Sequence, residues 1–229
     1  MPTNKPVKAP SKHRAEVRFS LVPTAAQQKM YAALASLDSP RSGDEVASIA
    51  ISLAMAESDP VIVTAPEQGS HIAWRNTACT EGIRAAIVAA VEEFIDQPKA
   101  AALICAGSIT RERAKEFRSA AAFAALHKLP ILFLVANQLT PGRRQPQDLR
   151  TLHAELGIPV FSVDAADAVA AYRVATEALH NARHHRGPAL IEAVTIRGAQ
   201  RVTATPLKLL SAYMERHGIR PLPSGAGEL

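Results

Sequence analysis

Long apolar runs are missing from this chain of 229 residues, and so is any segment built like a targeting signal. Spanning a bilayer takes about 20 consecutive apolar residues, and no stretch here reaches that length. The first twenty residues, MPTNKPVKAPSKHRAEVRFS, carry positive charge and proline but no apolar centre. We therefore expect neither a signal peptide nor a membrane anchor, and a cytoplasmic location is the resulting expectation.

Cysteine and aromatic residues are also scarce. The two cysteines, Cys79 and Cys105, do not stand at a spacing typical of metal ligands, and we expect both to be reduced and structural. Aromatic residues make up 4% of the chain against 48% for all hydrophobic residues, which favours a helix-rich globular domain over a β-sandwich or a disordered protein. We expect one domain over residues 23–219, between a disordered basic tail (1–22) and a disordered C-terminal tail (220–229).

The formal net charge of +5 is concentrated at the N-terminus, so the rest of the chain is close to neutral. Within the first eighteen residues, Glu16 is the only acidic residue against five basic ones: Lys5, Lys8, Lys12, Arg14 and Arg18. No aromatic residues alternate with these charges, so we expect a solvated tail and do not expect nucleic acid as a partner.

Short apolar runs alternate with helical patterns over most of the chain. Two helical segments come first, TAAQQKMYAALASL and DEVASIAISLAMAES, and TPLKLLSAYMERHGI is the last helix. The predicted strands between them are PVIVT, AAALICA, PILFLVA, PVFSV and PALIEAVTI, with a loop from PVIVT to about Cys79. Continuously apolar strands need cover on both faces. The pattern predicts an α/β fold, a doubly wound parallel sheet with helices on both faces and a ligand site at the carboxyl ends of the strands.

The turn after AAALICA is the first candidate site. Gly107 and Ser108 end the apolar run, and a charged segment with Arg111 and Arg113 follows at once. Helix starts at such turns can hold phosphate groups through their backbone N–H groups. Two interpretations stay open: the arginines bind a phosphate group directly, or they lie at a solvated helix start capped by Thr110.

Further candidates lie in the neighbouring loops. Arg143 and Arg144 follow the strand PILFLVA and belong to the same rim, either as part of a shared anion site or as a flexible basic loop. His71, after PVIVT, is the histidine best placed for catalysis, although it has no carboxylate partner at a useful spacing.

Several segments carry a resemblance in a common order. They are KMYAAL, GDEVASIAISLAMAESDPVIVT, FAALHKLPILFLVANQ, LGIPVFSVDAADAVAAYRVATEALHNARHHRGPALIEAVTIR and PLKLLSAYMERHGI. Together they resemble the alpha subunit of the thiamine-diphosphate-dependent decarboxylating component of 2-oxo acid dehydrogenase complexes, of the pyruvate and branched-chain type. The resemblance covers roughly residues 28–219 and implies the thiamine-diphosphate-binding fold.

The resemblance implies a site for thiamine diphosphate and Mg²⁺. The family's Gly-Asp-Gly turn falls on Ser108–Thr110, or on Gly107–Ile109 if the alignment slides by one residue, and neither register offers a carboxylate. Asn137 matches the first residue of the family's Asn-Asn pair, and Gln138 stands at its metal-ligand position. The implied candidates for cofactor binding are Gly107, Ser108, Arg111, Arg113, Asn137 and Gln138, with Ser108 and Gln138 as candidate metal ligands. Under the first interpretation above, Arg111 and Arg113 would bind the diphosphate directly in place of the metal.

Other family positions differ as well. The Tyr-Arg pair that grips the diphosphate falls on Ala65 and Pro66, and the histidine of the same segment falls on Gln68. The active-site histidine of the family's Arg-Gly-His-Ser segment falls on Ala199. The sequence therefore predicts a homologue with a degenerate cofactor site and a structural or regulatory role.

Two other functions stay open beside this one. In the first, the chain is an active subunit for oxidative decarboxylation of a 2-oxo acid with acyl transfer to a lipoyl domain, and its partner supplies the missing groups. In the second, the basic tail and the rim arginines bind an anion, a nucleotide or a nucleic acid. The resemblance implies a beta-like subunit or a second copy of the chain as partner, and a lipoyl-bearing acyltransferase as acceptor.

Overall fold

A parallel sheet of six strands lies at the centre of the part of the chain that the structure describes. The computed structural model describes residues 22–37, 43–64, 77–139, 149, 151–196 and 205–222. Their elements are α1 (Thr24–Ser36), α2 (Gly43–Ala54), β1 (Val61–Val63), β2 (Thr77–Cys79), α3 (Ile83–Asp96), β3 (Ala102–Ser108), α4 (Ala114–Leu126), β4 (Ile131–Leu139), α5 (Thr151–Leu156), β5 (Val160–Asp164), α6 (Ala168–Asn181, continued by a π-helical turn, Ala182–Arg186), β6 (Ala189–Ile196) and α7 (Pro206–Arg216). Residues 1–21, nearly all of the predicted basic tail, lie outside these ranges.

The strand order is β2-β1-β3-β4-β6-β5, and every pair is parallel. From β1 the chain goes to β2 on one side and then returns to place β3 on the other side of β1. This reversal makes the β1/β3 boundary a topological switch point, where open α/β sheets leave a crevice at the carboxyl ends of their strands.

Helices cover both faces of the sheet, because alternate strand residues point to opposite sides. Leu103 and Cys105 join one buried cluster with α1, α2, α6 and α7, and we call this side the α2/α6 face. Ile104 and Phe133 join a second cluster with α3, α4 and α5, on the side we call the α3/α4 face. The predicted α/β fold with a doubly wound parallel sheet is confirmed.

One predicted element is wrong. The predicted loop up to Cys79 ends in the edge strand β2, which pairs with β1 and places Cys79 opposite Val63. Three residues are too few to show a hydrophobic period, so neighbouring backbone and not local pattern defines this strand. Cys105 pairs with Val63 from the other side, so two strand spacings, about 10 Å, separate the cysteines. That is too far for a disulfide, and both thiols are free, as predicted.

Buried Asp59 ties three parts of the fold together just before β1. Its side chain, 1% exposed, accepts hydrogen bonds from the backbone N–H groups of Ala56 (2.7 Å) and Ala101 (2.9 Å). It also forms an ion pair with Arg183, in the π-helical turn after α6. One side chain thus links the starts of β1 and β3 to the end of α6.

The last helix packs on its own domain, a point that the sequence left undecided. Thr205 caps α7 by accepting from the N–H of Lys208 (3.4 Å), and Gly218 follows the helix at φ +69°. Gln28 of α1 then donates to the carbonyl of Arg220 (2.7 Å) and accepts from the N–H of Leu222 (3.0 Å). In the described ranges no helix is both long and apolar enough to cross a membrane.

Candidate functional site

The carboxyl ends of β3 and β4 bring four predicted cofactor-binding residues to one edge of the sheet: Gly107, Ser108, Asn137 and Gln138. Thr64 follows β1, Ser108 ends β3, and Asn137 and Gln138 lie near the end of β4. The candidates His71, Arg143 and Arg144 lie outside the described residues. The same holds for the positions where this sequence lacks the family's functional residues: Ala65, Pro66, Gln68 and Ala199.

A β-bulge shapes the end of β3. The pairing with β4 shifts between Cys105 and Gly107, so Ala106 and Gly107 together oppose Val135. Gly107 has φ +62°, a left-handed conformation that glycine adopts without a side-chain clash. Gly107 and Ser108 were predicted in the turn that follows the strand, but the bulge extends the strand through both of them. Ser108 pairs with Ala136 as a result.

Helix α4 starts later than predicted. Its first residue is Ala114, and Arg113 is the N-cap residue, at φ −81° and ψ −13°, with no capping bond from its side chain. The expectation that Thr110 caps this helix is wrong, because Thr110 lies four positions before Ala114. Its side chain hydrogen bonds with the carboxylate of Glu112 instead.

Glu112 organises the turn between β3 and α4. A hydrogen bond from its own backbone N–H contributes most to lowering the pKa of its carboxyl group, followed by the bond with Thr110 and the nearby charge of Arg111. The side chain is fully exposed, so this effect is local to the turn. Arg111, one of the predicted anion ligands, therefore lies beside a carboxylate at the surface.

Arg113 points in the opposite direction, back onto the sheet. Its guanidinium donates to Oγ1 of Thr64 (3.2 Å) and, more weakly, to the carbonyl oxygen of Ala106 (3.5 Å). These acceptors lie at the ends of β1 and β3, so the half-buried arginine spans the switch point. Within the described ranges two ion pairs form, Arg118 with Glu155 and Arg183 with Asp59, and Arg113 takes part in neither.

Asn137 is hydrogen bonded to a side chain of the neighbouring strand β6. Its side-chain amide donates to one carboxylate oxygen of Glu192 on β6, and the hydroxyl of Ser162 on β5 donates to the other (2.6 Å). Glu192 is 6% exposed, so an acidic group is buried in the α3/α4 face beside a predicted cofactor ligand. The sequence analysis did not select Glu192, although a lone acidic residue inside the apolar strand ALIEAVTI is a signal that could have found it.

The two candidate metal ligands lie on the opposite face of the sheet from Asn137 and Glu192. Because Ser108 pairs with Ala136 and strand side chains alternate, Ser108 and Gln138 both point to the α2/α6 face. Their Cα atoms are roughly 8 Å apart, one strand spacing across and two residues along. Each of the two side chains offers a neutral oxygen atom as a possible metal ligand. No group of three or more His, Cys, Asp or Glu side chains gathers as a metal site among the residues described.

Comparison with known proteins gives a consistent set of relatives. The chain is 34% identical over 110 residues to the pyruvate dehydrogenase E1 component subunit alpha of Porphyra purpurea, covering 43% of this chain and 32% of that protein. It is 32% identical over 88 residues to the 2-oxoisovalerate dehydrogenase subunit alpha of Bacillus subtilis, covering 36% and 27%. A solved structure of a candidate thiamin diphosphate-dependent enzyme from Mycobacterium smegmatis is 18% identical, with a TM-score of 0.49, and covers 69% of this chain and 32% of its own.

The region matched by the family profile includes the ends of β3 and β4 but not β1 or Thr64. The chain spans about a third of the length of the curated relatives it matches. The family profile described as dehydrogenase E1 component matches residues 67–200, more than half of the chain and every strand from β2 to β6. On this match, the chain belongs to the dehydrogenase E1 component family.

Proposed function

We propose that this chain is an alpha-type E1 homologue that does not itself form a metal-dependent thiamine diphosphate site, and that its role is structural or regulatory. The observation that carries the proposal is the position of Arg113, a cation at the switch point hydrogen bonded to the ends of β1 and β3. A beta-like subunit or a second copy of the chain is the partner this role requires.

The residues described at this edge do not fit Mg²⁺. This ion prefers hard oxygen ligands and is usually held through one or two carboxylates. The turn offers Ser108, Ile109 and Thr110 where the family has Gly-Asp-Gly, and Gln138 adds only an amide oxygen. The nearest acidic group along the turn, Glu112, is occupied by its own backbone N–H and by Thr110.

Arg113 adds an electrostatic penalty to this poor donor set. A divalent cation near this guanidinium would be repelled, because both carry positive charge. The two neutral oxygens bring no negative charge to offset that repulsion. In this proposal no catalytic step of the chain depends on a metal-bound cofactor.

An active subunit is the second candidate function. It is favoured by Ser108 and Gln138, which share one face of the sheet. Ser108 stands at the family's Asp position if the alignment slides by one residue, and Gln138 stands at the second metal-ligand position. In this alternative the partner supplies the missing carboxylate and histidine, and water completes the coordination of Mg²⁺.

One experiment separates the two candidates. The chain is co-expressed with a beta-like subunit, and reduction of an artificial electron acceptor is followed in the presence of 2-oxo acids, thiamine diphosphate and Mg²⁺. The proposal predicts a stable complex whose turnover does not exceed that of the partner alone. Turnover that requires this chain, and that falls in Gln138→Ala, contradicts the proposal and supports the active subunit.

A further inference from the structure

We infer that His180 and His184 form a two-histidine site for a divalent transition metal ion, of the class that includes Zn²⁺ and Ni²⁺. The two residues lie four positions apart where α6 passes into its π-helical turn. Because α6 runs back from the end of β5 to the start of the parallel strand β6, this turn lies at the amino edge of the sheet. The inference is therefore independent of the proposed function, which concerns the carboxyl edge.

The contact between the two rings is the first argument. Residues four apart on a helix lie on one face, and the ring centroids of His180 and His184 are 4.2 Å apart with 41° between the ring planes. A bond from a metal ion to an imidazole nitrogen is about 2.0–2.1 Å long, so two nitrogens bound to one ion lie about 3–4 Å apart. Rings this close can bind the same ion after small side-chain rotations. Both side chains are exposed, so an ion has access to them.

A hydrogen bond fixes which nitrogen of His184 is available to an ion. Nδ1 of His184 lies 2.6 Å from the backbone carbonyl oxygen of His180. Since a carbonyl oxygen can only accept, Nδ1 carries the proton, and the lone pair of the neutral ring is on Nε2. Metal-bound histidines almost always donate their other N–H in this way, to a carbonyl, a carboxylate or water. His184 therefore already has the tautomer and the orientation of a metal ligand.

The backbone under the pair is unusual as well. Ala182–Arg186 is a π-helical turn, a rare conformation that is frequent at functional sites. Within this turn Arg183 points inward to its ion pair with buried Asp59, whereas His184, the next residue, stays exposed. The turn thus keeps the arginine away from the surface that carries the two imidazole rings.

The charges around the pair favour a cation. From residue 177 to residue 184, Arg183 is the one described basic side chain apart from the histidines, and Asp59 neutralises it. Glu177, three positions before His180, is exposed and adds negative charge on a neighbouring part of the helix surface. The carbonyl groups at the C-terminal end of α6 add partial negative charge. No third acidic, histidine or cysteine side chain joins the pair as a ligand among the residues described, so water completes the coordination.

Two other helices end in the same kind of ring contact without the same chemistry. Phe123 contacts His127 at the end of α4, and Tyr213 contacts His217 at the end of α7, each with ring centroids 4.4 Å apart. Each of these contacts contains only one imidazole ring, so packing at a helix end explains it. The pair on α6 offers two imidazole ligands, which suit Zn²⁺, Cu²⁺ and Ni²⁺, whereas Mg²⁺ prefers oxygen.

The test uses Ni²⁺ and the full chain, because Ni²⁺ is paramagnetic and does not oxidise an exposed thiol such as Cys79. Isothermal titration calorimetry should show one strongest site that excess Mg²⁺ does not compete for. Loss of an outer-shell partner of a metal costs about 10–100-fold in affinity, so loss of a direct ligand in His180→Gln or His184→Gln should cost at least tenfold. His217→Gln is the matched control, since His217 ends a helix with Tyr213 as its ring partner, and it should bind Ni²⁺ like the parent.

A second measurement locates the ion without any substitution. Small amounts of Ni²⁺ should broaden the amide NMR signals of the parent most strongly around His180 and His184. Four results would overturn the inference: no saturable Ni²⁺ binding by the parent, unchanged affinity in both histidine variants, an equal loss in His217→Gln, or broadening centred elsewhere. Each of these results leaves the proposed function as it stands, because neither histidine lies at the carboxyl edge.

Discussion

Glu112 is the residue whose titration reports the turn between β3 and α4. Its pKa lies below the ordinary value of a glutamate because of its own backbone N–H, Thr110 and Arg111. We predict that Thr110→Val raises this pKa toward the ordinary value, measured by NMR titration of the side-chain carboxyl group. Thr176→Val, on α6, removes a hydroxyl that bonds only locally and should leave the pKa of Glu112 unchanged.

The sign of the pH effect follows from the direction of the shift. A carboxyl group with a lowered folded pKa favours the ordered turn at pH values above the ordinary glutamate pKa. That contribution decreases as the pH falls through the folded pKa on the acid side. The amide signals of the turn should therefore change at low pH, and an unchanged titration in Thr110→Val would contradict the hydrogen bond.

Single residues also mark the limit of what the sequence predicts. The positions of Gly107, Ser108, Asn137 and Gln138 at one sheet edge follow from where apolar strands end, and the structure places them there. The direction of Arg113 does not follow from sequence, because a long side chain at a turn can face solvent or the sheet with similar local cost. Only the neighbouring strand ends decide that it folds back toward Thr64.

At the scale of elements, the ion pair of Asp59 joins the starts of two strands to the end of a helix. We predict that Asp59→Ala lowers the free energy of unfolding by about 3 kcal/mol, since it leaves Arg183 and two backbone N–H groups without their acceptor. Glu155→Gln breaks the exposed pair with Arg118 and should cost less than about 1 kcal/mol. Chemical denaturation of both variants provides the comparison, and equal costs would contradict the linking role of Asp59.

Helix α4 offers a second matched pair of variants. Phe117 is 1% exposed and packs edge-on against Phe133 of β4 with ring centroids 5.6 Å apart, whereas Phe123 on the same helix is 48% exposed. Phe117→Ala should cost about 3–5 kcal/mol. Phe123→Ala should cost well under half of that, since most of its area stays in water. Thermal and chemical unfolding measure both, and a similar loss in the two variants would show that α4 packs differently.

Some elements have a hydrophobic pattern that is visible in the sequence, and others do not. Strands β3 and β4 are apolar over at least five residues and buried on both faces, so composition alone predicts them. Strand β2 has three residues and exists through its pairing with β1. The start of α4 was predicted too early. The charged residues before Ala114 have good helix propensity, but the contacts of Glu112 and Arg113 hold them in a turn.

At the scale of the whole molecule, the parallel sheet was predictable because alternation of strands and helices admits few topologies. The place of β6 between β4 and β5 was not, since it depends on long-range pairing that no local pattern encodes. The strand order also creates the switch point at β1/β3. There Arg113, which bonds the nearby carbonyl of Ala106, reaches Thr64, 49 residues earlier in the chain.

The central claim is that this member of the dehydrogenase E1 component family does not use Mg²⁺ to hold a diphosphate. The most direct measurement is calorimetric titration of the full chain, alone and with its partner, with thiamine diphosphate in Mg²⁺ and again in EDTA. The account predicts that any affinity is the same in both solutions. Low-micromolar binding that appears only with Mg²⁺, and that is lost in Ser108→Ala or Gln138→Ala, would contradict it.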